Sequence, residues 1–142
     1  MSDWLESAGE GRHRVELKAT RLGPDFSFCL GGGQAPHIGV AALAVPRPGL
    51  DGRGLSASAS VLCVTGHKED QLARELALAA AARLDCRVLV AAGLHIDGAS
   101  AEDIEILLAN SRKAFEIMLE RLSGAGAEEG RAGLRCPVRN GP

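Results

Sequence analysis

Three of the four histidines in this 142-residue chain stand close to glycine in short motifs: Pro36-His37-Ile38-Gly39, Gly66-His67-Lys68-Glu69 and Gly93-Leu94-His95-Ile96-Asp97. An imidazole that titrates near neutrality can donate, accept, move a proton or ligate a metal. Together His37, His67 and His95 could hold zinc as three neutral ligands with an open position. Their separation is long-range, no His-x-x-x-His pair supports a metal, and hydrogen bonding of each imidazole to backbone is the simpler alternative. Lys68 is different. It precedes an amphipathic helical pattern, where unpaired N–H groups and a partial positive charge favour anions, so a lysine there makes a phosphate seat.

The only glycine triplet, Gly31-Gly32-Gly33, would let backbone approach a ligand closely or would simply make a flexible turn. No G-x-G-x-x-G or Walker pattern decides between the two. Glu69, Asp70, Glu102 and Asp103 suit the first turns of helices. Asp97 reads as a turn residue in Asp97-Gly98, and His13, in a polar N-terminal segment, as solvated. Four scattered cysteines without a Cys-x-x-Cys pair support neither a zinc ribbon nor a dithiol motif. Cys63, inside the apolar run Val61–Val64, reads as a reduced core residue.

The elements that would carry these residues follow from periodicity. Val15–Thr20 and Phe26–Leu30 alternate around a Gly23-Pro24-Asp25 turn, which predicts a hairpin. The glycine triplet is expected to end its second strand. His37–Val45 reads as a third strand and Ser56–Val64 as a fourth. Leu72, Leu76, Ala80 and Leu84 then recur along one helical stripe, so Lys68–Leu84 is a helix. Arg87–Ala92 reads as a central parallel strand. Ser100 and Asp103 make an approximate capping box before Ile104, Leu107, Leu108, Phe115, Met118, Leu119 and Leu122, the apolar face of a second helix. The expected fold is α/β, a two-layer sandwich with a mixed sheet of about five strands and two helices in the order ββββαβα. Residues 1–13 are expected to be a flexible arm, 14–122 the domain and 123–142 a disordered tail.

Strand direction alone makes the prediction that matters. In an up-and-down meander of strands two to four, followed by a helical crossover to a parallel strand five, the three histidine motifs and both helix N-termini reach the same sheet edge.

Composition narrows the partners. A net charge of −2 and an aromatic content of 3% with no Tyr disfavour a nucleic-acid partner. No apolar run approaches the length of about 20 residues needed to span a bilayer, and the N-terminus is too polar for a signal peptide, so the cytoplasm is the expected location. The hydrophobic fraction of 46% against 24% charged residues is that of a folded domain.

The motifs Gly-Gly-Gly-Gln-Ala-Pro-His-Ile-Gly at 31–39, Gly-His-Lys-Glu-Asp at 66–70 and Ala-Gly-Leu-His-Ile-Asp at 92–97, in that order and at these distances, resemble the LpdD-like family over about 25–122. The resemblance implies a small accessory subunit of phenolic-acid decarboxylase systems that handles prenylated FMN for a UbiD-type decarboxylase, without being a decarboxylase itself. Pro36, His37, Gly39, His67, Lys68, Gly93 and His95 match the family pattern, and Gly32, Gly33 and Gly66 join them as candidate cofactor-binding residues. Residues 47–55 and those after 122 have no counterpart in that pattern. Two other readings stay open: a hydrolase or lyase with His67 or His95 as general base, alone or on a metal, and an interaction subunit without a small ligand. The alanine-rich first helix fits the close helix packing that a homo-oligomer would use.

Overall fold

The computed structural model describes residues 1–64 and 69–129. Alternating side chains produce six strands: β1 (Asp3–Ala8), β2 (Val15–Leu22), β3 (Asp25–Gly33), β4 (Val40–Pro48), β5 (Leu55–Cys63) and β6 (Val88–His95). Two helices complete the described residues, α1 (Asp70–Leu84) and α2 (Ala101–Glu129), with a 3-10 turn at Gly11–His13. The sheet is mixed, in the order β1-β2-β3-β6-β4-β5. Among the described strands, β3 and β6 alone pair in parallel.

Both helices pack on one face. α1 lies against β4, β5 and β6, and α2 against β1 and β2. The alternation in the strands supplies the apolar side: Val15, Leu17, Ala19, Phe26, Phe28, Leu30, Val40, Ala42, Ala44, Val88, Val90 and Ala92 are all buried. They meet Leu72, Leu76, Ala77 and Ala80 of α1 and Leu107, Phe115, Met118 and Leu119 of α2. No layer covers the opposite face among the described residues, and Glu16, Lys18, Cys29, Leu43 and Leu89 are exposed there.

Several expectations change. The segment 1–13, expected to be a flexible arm, contributes an edge strand: Trp4 of β1 sits opposite Ala19 of β2, and its ring lies 5.9 Å from that of Phe26. The tail expected from residue 123 begins as helix, since α2 runs to Glu129, and the remainder lies outside the described residues. Gly31-Gly32-Gly33 does not end its strand, because β2 and β6 hold it from both sides. Strands β3 and β4 are not neighbours in a meander, because β6 inserts between them.

Direction is nevertheless conserved. β5 is antiparallel to β4, which is antiparallel to β6, which is parallel to β3. The C-terminal ends of β3, β5 and β6 and the start of β4 therefore share one rim. Cys63, expected in the core, is exposed, because it ends an edge strand; among the described cysteines Cys86 is the buried one.

Candidate functional site at the sheet rim

The insertion of β6 between β3 and β4 dictates the local geometry of the rim. A chain leaving β3 can reach β4 only by passing over the C-terminal end of β6, and residues 34–39 form that strap. Its anchors are backbone groups: the Gln34 N–H donates to the His95 carbonyl at 2.6 Å, and the Gly39 N–H to the Ala92 carbonyl at 2.9 Å. The Gln34 side-chain oxygen also accepts the Asp97 N–H at 2.9 Å.

Glycine is what makes the crossing tight. A Cβ on Gly93 would stand 2.1 Å from the His37 carbonyl oxygen, and one on Gly33 (φ +81°) would stand 2.1 Å from that of His95. On Gly31 it would meet Pro36, and on Gly32 the side chains of Val15 and Leu94. The glycine-rich motif at 31–39 and the motif at 92–97 are thus two halves of one packed unit. Their lack of side chains admits the protein's own strap.

The strap brings His37 over β6 so that its ring lies edge-on to that of His95, with centroids 6.2 Å apart and planes at 76°. His37 Nδ1 is 3.1 Å from the Ala35 carbonyl oxygen, which orients the ring. His95 Nε2 is 2.8 Å from an Asp97 carboxylate oxygen. Glu69, at the N-cap of α1, accepts the Leu94 N–H at 3.3 Å, which ties the start of α1 to the same end of β6.

Beside the strap, on the open face of β2 and β3, runs a groove of ≈ 460 Å³. Gly31, Gly32, Gly33, Pro36 and Cys29 line it together with Arg14, Glu16 and Lys18. Its volume is within the range of small-molecule sites, roughly 300–1,000 Å³. The cations are partly engaged: Arg14 pairs with Glu16 at 3.2 Å and Lys18 with Asp3 at 2.8 Å.

Of the candidate residues, the structure gathers Gly32, Gly33, Pro36, His37, Gly39, Gly93 and His95 at the rim. Gly66, His67 and Lys68 lie outside the described residues, and with them the three-histidine metal alternative. Among the described residues no three His, Cys, Asp or Glu side chains come together in a way that could hold a metal ion.

Arg14, Gln34 and Glu69 had no place in the sequence reading of the site. Gln34 sits inside the motif at 31–39 and Glu69 inside that at 66–70, so both were visible there; Arg14 needed the strand order. His13, expected to be solvated, is instead bound to Asp103 at 2.6 Å.

The family described as the prenylated flavin chaperone LpdD-like domain matches residues 9–123. The chain belongs to this family. That match takes in the strap, the groove and both helices up to residue 123, so the LpdD-like domain is the whole rim-bearing unit. A chain in the crystal structure of a chaperone complex for yeast 20S proteasome assembly is similar in fold. Its TM-score is 0.50 at 17% sequence identity, over 87% of this chain and 98% of that one. No curated protein matches the sequence. No helix among the described residues is long and apolar enough to cross a membrane.

Proposed function

We propose that this protein binds prenylated FMN at the rim and delivers it to a UbiD-type aromatic-acid decarboxylase in the cytoplasm, without turning over a substrate. One observation carries the reading: the strap sets the His37 and His95 imidazoles edge to face next to a groove with a glycine floor and with Arg14, Lys18 and Glu16 in its walls. The donor set fits the cofactor. Imidazole N–H groups and exposed backbone suit the carbonyls and ring nitrogens of a flavin, while Arg14 and Lys18 suit an anion. In this reading the ring system lies along the groove, His37 and His95 flank the ring or ribityl chain, and the phosphate takes Lys68, which precedes α1 in the sequence. Gly32, Gly33, Pro36, Gly39, Gly66, His67 and Gly93 shape the seat.

A chaperone differs from an enzyme in what it must do. It has to bind a reactive cofactor tightly enough to shield it and loosely enough to release it, so a groove on an open sheet face suits it better than an enclosed cavity. Titrating the purified protein with prenylated FMN and following its fluorescence tests the reading. Binding without turnover is the expected result, with affinity falling at least about tenfold, roughly 1.4 kcal/mol, in His37→Ala and His95→Ala. Absence of binding at tens of micromolar overturns it.

The second reading, a small hydrolase or lyase, draws on the 2.8 Å contact between His95 and Asp97, in which a carboxylate orients an imidazole as in a general base. Turnover of ester or aromatic-acid substrates that disappears in His95→Ala would favour it.

A further inference from the structure

The outer wall of the groove comes from β1, which precedes residues 9–123, the part of the chain that matches the family. Register places that wall. Leu5 of β1 stands opposite Lys18 of β2, and Lys18 opposite Cys29 of β3, so the three form one row across the open face of the sheet. The next row toward the rim is Ser7, Glu16 and Gly31. Pro36 of the strap packs over Gly31, where an added Cβ would stand 3.0 Å from the proline Cβ. Leu5 on one side and Pro36 on the other therefore bound the groove, with Glu16, Lys18, Cys29 and glycine backbone between them. Leu5 is two strand spacings, about 10 Å, across from β3.

Leu5 is 71% exposed, whereas Leu17, the other leucine of the lining, is buried. An exposed leucine on its own needs no explanation. This one is fixed at the groove: the Arg121 guanidinium of α2 donates to its carbonyl oxygen at 2.8 Å and pairs with Glu6 at 2.9 Å, which pins the edge strand. The charges beside it are matched in pairs, Lys18 with Asp3 and Arg14 with Glu16. What Leu5 adds to the groove is a held apolar surface.

We propose that Leu5 is the specificity-determining residue of this groove, the side chain that distinguishes prenylated FMN from plain FMN. This inference rests on the flavin reading above. The two cofactors share the phosphate, the ribityl chain and the polar groups of the flavin, so cations and hydrogen-bonding groups treat them alike. They differ in one apolar group: the isoprenoid unit closes a saturated ring on the flavin edge opposite N10, the nitrogen that carries the ribityl phosphate. A flavin whose phosphate lies toward α1 and whose ribityl chain passes His37 and His95 turns that opposite edge toward β1, where Leu5 stands. The saturated ring then takes Leu5 out of water, and plain FMN leaves it wet.

Parallel titrations of the purified full chain with FMN and with prenylated FMN, read by fluorescence or native mass, test this. The wild type should prefer prenylated FMN by at least about tenfold, the order of discrimination that a small apolar group supplies against an apolar wall. Leu5→Thr keeps a good strand former, so the circular dichroism spectrum and the urea midpoint should stay unchanged. It should bring the two affinities within about threefold of each other by weakening prenylated FMN alone. Leu5→Met, apolar and of similar volume, should keep the preference. Equal wild-type affinities for the two flavins, or a Leu5→Thr protein that keeps the preference, overturns the inference and leaves the flavin reading standing. A Leu5→Thr protein that loses both flavins equally also overturns it, because Leu5 would then serve the strand and not the choice of ligand. Binding of neither flavin to the wild type overturns the flavin reading itself and this inference with it.

Discussion

Gly93 shows how a single missing methyl group decides the geometry of the rim. Its would-be Cβ meets the carbonyl oxygen and carbon of His37, both backbone atoms of the strap, so no rotamer change can relieve the contact. Gly93→Ala should therefore lift the strap from β6, costing roughly 1–3 kcal/mol as other over-packed sites do. The substitution should lower the urea midpoint. Flavin affinity, on the proposed reading, should fall with it, because His37 travels with the strap. Gly124 is the contrasting case: an added Cβ there meets nothing within 4 Å, and Gly124→Ala within α2 should be neutral or stabilise by up to about 1 kcal/mol. A Gly93→Ala protein with an unchanged midpoint would show that the strap yields freely.

Among the elements, the joint between the N-terminal segment and α2 is built on the buried carboxylate of Asp103. Asp103 is 5% exposed and accepts from the Ser100 N–H and hydroxyl at 2.9 Å, closing the capping box, while Arg12 donates at 2.5 Å and His13 lies at 2.6 Å. Hydrogen bonds from the Ser100 backbone, from His13 and from the Ser100 hydroxyl hold its carboxyl well below the usual carboxylate range. The folded value thus lies below the unfolded one. Stability from this carboxylate is fully present above about pH 4 and is lost as pH falls through the lowered value. Asp103→Asn should lower the thermal midpoint at pH 7 and flatten its decline below about pH 4; a variant whose acid limb parallels the wild type would refute the assignment.

The same joint marks what the sequence could and could not disclose. Ser100 and Asp103 were legible as a cap, because capping is local. His13 and Arg12 as partners of Asp103 were not, since that contact needs β1 and β2 already in place under α2. Alternation identified β2 and the core of β3 and β4, and a period of four identified α1. The strand at Asp3–Ala8 escaped because its polar composition, with Asp3, Glu6 and Ser7, gives half an alternation only. Strand order escaped for a different reason: no side-chain pattern within 34–39 reveals that this loop crosses a strand some fifty residues later in the chain. That His37 and His95 share a rim was foreseeable from strand direction; that their rings meet was not, because it needs β6 inserted between β3 and β4.

At the scale of the whole molecule, the chain's few aromatic residues are strung along one line. Trp4 lies 5.9 Å from Phe26, Phe26 is 6.1 Å from Phe28, and Phe28 is 5.0 Å from Phe115. This row uses the single Trp and all three Phe, and it runs from the edge strand β1 through β3 to α2. The remainder of the core is built of smaller side chains, with much alanine under α1, so the aromatic row supplies the largest single side chains that join the helix layer to the sheet. Phe115 is its anchor in α2, and truncation to Ala would leave a cavity against Phe28 costing about 3–5 kcal/mol. Set against a total stability of roughly 5–15 kcal/mol for a domain, that is a large fraction. Phe115→Ala should therefore shift the urea midpoint strongly, with Trp4 fluorescence reporting the loss, while His95→Ala, exposed at the rim, should leave the midpoint nearly unchanged. The pair separates the two jobs of the fold. If His95→Ala unfolded the protein as readily as Phe115→Ala, the rim imidazoles would be part of what holds the sheet together, and their proposed role toward a flavin would lose its independence.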